Sequence, residues 1–179
     1  MAKIKVSADW LAGCAGCEMS LLDIDERILT LLEHVELRST PITDLKHPDE
    51  SGVDVGILSG TVVNTTNKAV VEEMRERCKT LIALGDCAVM GGIPTMRNFF
   101  NIQDALQRAY VETESTVDGY IPSSPELGKP IEARPVDAVV PVDVYLPGCP
   151  PSADAIWFVL TELLAGRKPV LKDDNLKYD

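Results

Sequence analysis

Apolar and polar positions follow two different rhythms along this chain. Short, mostly apolar runs bounded by turn residues recur at Ile4–Ala8, Val53–Ser59, Thr80–Leu84 and Val142–Leu146, and Val35–Arg38 adds a fifth. Runs of this length predict strands, and those apolar on both faces belong inside a parallel sheet. Between them, apolar residues return every three or four positions. Leu21, Ile24, Ile28, Leu31 and Leu32 predict one helix from about Glu18 to His34. Val70, Val71, Met74 and Cys78 mark the inner face of a second helix, with Asn64, Thr65 and Thr66 available as caps. A short helix is expected over Asn101–Tyr110. The last carries Ile156, Trp157, Leu160, Leu163 and Leu164, opened by Pro150 and Pro151 and stopped at Gly166.

Strands alternating with helices predict an α/β fold: a flavodoxin-like, doubly wound, mostly parallel sheet in one domain. Pro41–Ser51 reads as a polar loop. Val111–Pro141, rich in Pro, Ser and acidic residues, shows no period and predicts a long irregular loop before the last strand. A loop of that length inside a compact domain is usually functional or partner-bound. The domain is expected over residues 1–170, with a charged tail at 171–179.

Composition narrows the function classes. The 179 residues are 45 % hydrophobic, enough for one full core. A net charge of −11 excludes nucleic acid as a partner, because binding phosphates needs a basic face. Charge or Pro interrupts every apolar run within about ten residues, so no membrane span is expected. The start, Met1-Ala-Lys-Ile-Lys-Val6, enters the first strand without an apolar signal core, and a cytoplasmic location is expected.

Five cysteines in a reducing compartment point to metal, redox or core roles, not to disulfides. Cys14 and Cys17 follow the first strand, Cys87 follows the strand ending at Leu84, and Cys149 follows the strand ending at Leu146. In a parallel sheet these ends share one edge, so the four thiols are expected to converge there. Gly13, Gly16 and Gly148 each precede a cysteine and let backbone amides approach sulfur. Cys17 is expected at a helix start, where the dipole favours thiolate. Four thiolates meet the demand of one [4Fe–4S] cluster. Zinc is a rival, but structural zinc sites usually use two short cysteine pairs and this chain has one. A redox dithiol at Cys14 and Cys17 leaves Cys87 and Cys149 unexplained. Cys78, on the apolar face of its predicted helix, is assigned to the core.

Trp10-Leu-Ala-Gly-Cys-Ala-Gly-Cys17, Gly85-Asp-Cys87 with Gly91-Gly92, and Tyr145-Leu-Pro-Gly-Cys-Pro-Pro151 together resemble the small subunit of [NiFe] hydrogenases, most closely the bidirectional, NAD-reducing subgroup. The resemblance covers nearly the whole chain. It implies that Cys14, Cys17, Cys87 and Cys149 ligate one proximal [4Fe–4S] cluster, and that the chain has no complete active site of its own. The nickel–iron centre would lie in a partner large subunit. Electrons would pass to or from diaphorase subunits with FMN, NAD and further iron–sulfur clusters. Many such relatives carry a glutamate two residues after the second cysteine, where this chain has Met19. Glu18, one residue earlier, reads either as a helix-start carboxylate or as a proton relay displaced by one position. FMN on this chain itself is a further cofactor candidate with no residues assigned, because Cys14 to Cys17 occupy the turn after the first strand. The related cluster subunit of respiratory complex I has adjacent cysteines in its first motif, whereas Ala15 and Gly16 separate them here. Outside this family, the alternative is a flavodoxin-like module binding flavin or zinc.

His34 and His47 lack metal-ligand spacing, and Asp86 reads as a turn cap. Trp10, Met90 and Arg97 are candidates for packing near the cysteines, although core packing is the commoner role. Pro94, Phe99 and Phe100 form an apolar stretch suited to an interface.

Overall fold

The computed structural model describes residues 3–176. In chain order it forms β1 (Ile4–Trp10), α1 (Gly16–Leu22), α2 (Arg27–His34), β2 (Val35–Ser39), β3 (Val53–Ser59), β4 (Val62–Asn64), α3 (Thr65–Arg77) and β5 (Cys78–Leu84). There follow α4 (Gly85–Met90), a 3-10 segment at Ile93–Phe99, α5 (Ile102–Tyr110), β6 (Pro130–Arg134), a 3-10 turn at Val136–Ala138, β7 (Val144–Leu146) and α6 (Ala153–Leu164).

Five strands pair in parallel in the order β2-β1-β3-β5-β7. Counting only these five, the order is 2-1-3-4-5, the flavodoxin-like doubly wound arrangement. The central strands are apolar on both faces because each face has its own core. On one, Val6, Ile57, Leu84 and Leu146 pack with Ile24 of the α1–α2 turn and Ile156 of α6. On the other, Leu58, Leu81 and Ala83 meet Val71 and Met74 of α3, Ala88 of α4 and Val136. Each fully buried Leu, Ile or Val contributes about 1.5–3 kcal/mol relative to exposure. Among the described residues no helix is long and apolar enough to cross a membrane.

Several local expectations are corrected. The single helix over 18–34 is two helices, broken at Asp23–Glu26, where Asp25 has φ 60°. Aspartate tolerates the left-handed conformation better than most residues, and the bend drives Ile24 into the core at 1 % exposure. Cys78 does not belong to a helix: it caps α3 and opens β5, paired with Val53. Its side chain is still buried. Pro150 and Pro151 lie in a turn ahead of α6, whose cap is Ser152, its hydroxyl accepting from the Ala155 amide at 3.2 Å.

The long loop is also less irregular than expected. Residues 130–134 pair antiparallel with β4, which the sequence pattern also failed to signal. Arg97 and Asn98 hold this ribbon in place. The Arg97 guanidinium donates to the carbonyls of Ile131 and Val63, while Asn98 exchanges two hydrogen bonds with the Ala133 backbone at 2.8 and 2.9 Å. Leu171 packs against the core and Asp173–Leu176 makes a 3-10 turn. Residues 177–179 of the expected tail lie outside the described residues.

Candidate metal centre

Parallel pairing puts the carboxyl ends of β1, β5 and β7 at one edge, and the cysteines follow those ends. Cys14 lies in the loop beyond β1, Cys17 in the first turn of α1, Cys87 in α4, and Cys149 just beyond β7. Cys14 and Cys149 are exposed, while Cys17 and Cys87 are half-buried.

Three polar links tie the cysteine-bearing segments to one another. The Asp86 amide donates to Gly148 O at 2.9 Å, and the Gly148 amide donates to Asp86 Oδ1 at 2.8 Å. This joins the segments of Cys87 and Cys149. The Ser20 hydroxyl, on the helix of Cys17, donates to Pro151 O beyond Cys149. Thr61 exchanges backbone hydrogen bonds with Ala12 at 2.8 and 3.1 Å, and its hydroxyl reaches Gly91 O at 2.7 Å and Cys87 O at 3.1 Å. That joins the segments of Cys14 and Cys87.

The surroundings of each sulfur are specific. The Gly16 amide donates to Cys14 Sγ at 3.4 Å. At Gly85, φ is +81° and an added Cβ would sit 2.3 Å from Cys17 Sγ, so no other residue fits without moving that sulfur. Burial foremost, then the negative charges of Glu18, Cys87, Cys14 and Cys149, push the Cys17 thiol up to about 12. Cys17 does lie in the first turn of a helix, as expected, although that helix has only seven residues. Cys87 is raised as well, chiefly by burial and then by the negative charge of Cys149. Among the described residues no group of three or more His, Cys, Asp or Glu is gathered tightly enough to hold a metal ion.

The other candidates separate cleanly. Asp86 does more than cap a turn, since it bridges to Gly148. Glu18 accepts a hydrogen bond from Ser59 at the end of β3, a partner that spacing did not reveal. Trp10 and Met90 are 46 % and 57 % exposed, so ordinary core packing does not describe them. Arg97 serves the β4–β6 ribbon. Phe99 and Phe100 are 85 % and 70 % exposed, a costly display of aromatic surface. His47 is exposed and paired with Glu73, and His34 ends α2. Cys78 lies in the core, away from the other four.

An apolar cavity of about 260 Å³ runs beneath α1 and α2 and ends against Ala15 and Glu18. None of the four cysteines lines it. Its polar lining is Asp9, Glu18, Thr40 and Thr43, with no Lys or Arg. Burial raises Asp9 above the usual carboxylate range, and the Glu18 charge adds to the effect. Two carboxylates in an otherwise apolar lining would repel an anion placed beside them.

Comparison with known proteins agrees with the motifs. Residues 14–163 match the family model described as NADH ubiquinone oxidoreductase, 20 Kd subunit. The chain is 41 % identical to the NAD-reducing hydrogenase HoxS subunit delta of Cupriavidus necator, over 99 % of this chain and 86 % of that protein. It is 36 % identical to a subunit of the F420-non-reducing hydrogenase of Methanothermobacter marburgensis, covering 97 % of this chain but only 58 % of the relative. A solved structure of NAD+-reducing [NiFe]-hydrogenase in the H2-reduced state superposes with a TM-score of 0.95 at 38 % identity, over 99 % of this chain and 100 % of that one. The chain belongs to the family of the NADH ubiquinone oxidoreductase 20 Kd subunit and, within it, to the small, electron-transfer subunits of NAD-reducing [NiFe] hydrogenases.

Proposed function

We propose that Cys14, Cys17, Cys87 and Cys149 hold one [4Fe–4S] cluster, and that through it this subunit relays electrons in the cytoplasm. The relay would run between the nickel–iron site of a large subunit and a diaphorase module carrying FMN, NAD and further iron–sulfur clusters. The observation that carries the reading is the delivery of four thiols from the ends of β1, β5 and β7 to one edge, with their segments hydrogen-bonded to one another. Residues 1–170 serve as the iron–sulfur unit, and 171–179 as a charged tail.

A bound cluster supplies one-electron transfer. The chain's own part is to present four sulfurs and surround them with backbone donors. The Gly16 amide donates to Cys14, and such donors stabilise negative charge on sulfur. FMN on this chain is assigned no residues, because Cys14 to Cys17 occupy the turn after β1.

Anaerobic purification of the subunit with its large-subunit partner tests the reading. About four irons per chain are expected at this site. Stoichiometric zinc without iron would overturn it.

A further inference from the structure

Thr61 was not singled out by sequence, and no motif contains it. It stands just beyond β3, between two glycine-bearing turns, and is fully buried. Its backbone amide and carbonyl both bond to Ala12, in the segment leading to Cys14. Its hydroxyl lies within hydrogen-bond reach of Gly91 O at 2.7 Å and Cys87 O at 3.1 Å. Those carbonyls bracket the turn in which Gly91 and Gly92 both take positive φ, +89° and +48°. That turn lays the Gly92 backbone against the Cys87 sulfur: a Cβ at Gly92 would come within 2.8 Å of it.

A buried hydroxyl must have a partner, and burying one without any costs about 1–3 kcal/mol. Here the hydroxyl has only one proton and two carbonyls in reach, both on the turn that shapes the surroundings of Cys87. The backbone of the same residue is committed to the Cys14 segment. One residue therefore holds the two segments in register.

We propose that Thr61 is a positioning residue of the cysteine edge: its backbone holds the Cys14 segment, and its hydroxyl holds the 87–92 turn so that the Gly92 backbone stays against the Cys87 sulfur. It touches neither substrate nor reacting atoms, and acts through Cys87. The inference rests on the cluster reading of the four cysteines. Hydrogen bonds to ligating sulfur favour the reduced, more negative cluster and raise its potential. Loosening the turn therefore lowers the potential.

The test uses the complex purified anaerobically with its partner subunits, in wild-type, Thr61→Val and Thr61→Ser forms. Valine keeps the branched shape and removes the hydroxyl, whereas serine keeps the hydroxyl and removes the methyl. The readouts are iron content and the midpoint potential of the cluster, followed by its electron paramagnetic resonance signal. T61V is expected to shift the potential downward or to lose iron, with T61S retaining iron at the wild-type potential. An unshifted T61V with full iron overturns the proposal. Equal shift or equal iron loss in both variants also overturns it, because the site would then respond to any change of side chain and not to loss of the hydroxyl. A wild-type complex without iron at this site would instead refute the cluster reading, and this inference would fall with it.

Discussion

Asp86 and Gly148, 62 positions apart, hydrogen-bond to each other twice, amide to carbonyl and amide to carboxylate. Each is the residue immediately before a cysteine. The pair thus fixes the spacing of Cys87 and Cys149 before either meets a metal. Replacing Asp86 with Ala removes the carboxylate acceptor and leaves the Gly148 amide short of a partner. A loss of about 1–3 kcal/mol in stability is expected, along with reduced iron retention. Asp86→Asn keeps an acceptor oxygen and should restore most of both, as read by denaturant unfolding and iron assay.

Gly85 is a second pressure point. An alanine there would adopt a left-handed conformation at a cost of about 1–2 kcal/mol, and its Cβ would overlap Cys17 Sγ. Gly85→Ala is expected to displace Cys17 and to lower iron content more than it lowers the melting temperature. An Ala at Gly166, which has positive φ but nothing within 4 Å, is the control for backbone strain alone.

The fifth cysteine gives a sharp contrast. Cys78 packs at the start of β5 against Met74 and Gly56. Cys78→Ala should cost about 1 kcal/mol of packing and leave iron content unchanged. Cys87→Ser or Cys149→Ser should abolish cluster retention while preserving the far-ultraviolet circular dichroism of the fold. Equal iron loss from all three would place Cys78 among the ligands.

Asp143 links stability to pH. Burial opposes its charge, but the Leu81 amide at 2.8 Å and the Arg75 guanidinium at 2.6 Å prevail and hold its carboxyl below the usual range. A carboxyl with a depressed folded pKa contributes its full stabilisation above the unfolded value, about 3.9 for aspartate. That contribution is lost as pH falls through the folded value. Asp143→Asn should therefore destabilise the chain near neutrality, and the gap to wild type should narrow on acidification below about pH 4. Urea midpoints measured across that range check the sign.

Much of the fold is legible in the sequence. Apolar runs name the five strands of the parallel sheet, and the ends of three of them locate the four thiols. What stays hidden depends on contacts between distant residues. The break at Asp25 is set by the burial of Ile24, which a helical period cannot distinguish from continued helix. The β4–β6 ribbon is short and polar at its edges, and it is held by Arg97 and Asn98 from another segment. Cys78 shows the limit of periodicity, since i+4 from Met74 is also the first residue of a strand. At the site itself the ligand candidates stand out as cysteines. The residues that tie them together, Ser20, Thr61 and Asp86, are common polar types whose partners lie up to 131 positions away.

The strand order also has a consequence for biosynthesis. β7, the edge strand that delivers Cys149, is the last strand of the sheet to leave the ribosome, whereas Cys14 is among the first residues made. A nascent chain can fold β1 to β5 and expose three thiols while Gly148 and Pro151, which bond to Asp86 and Ser20 in the finished fold, are still to be synthesised. The edge therefore closes only when the final strand docks, and an unfinished polypeptide presents an incomplete set of sulfurs.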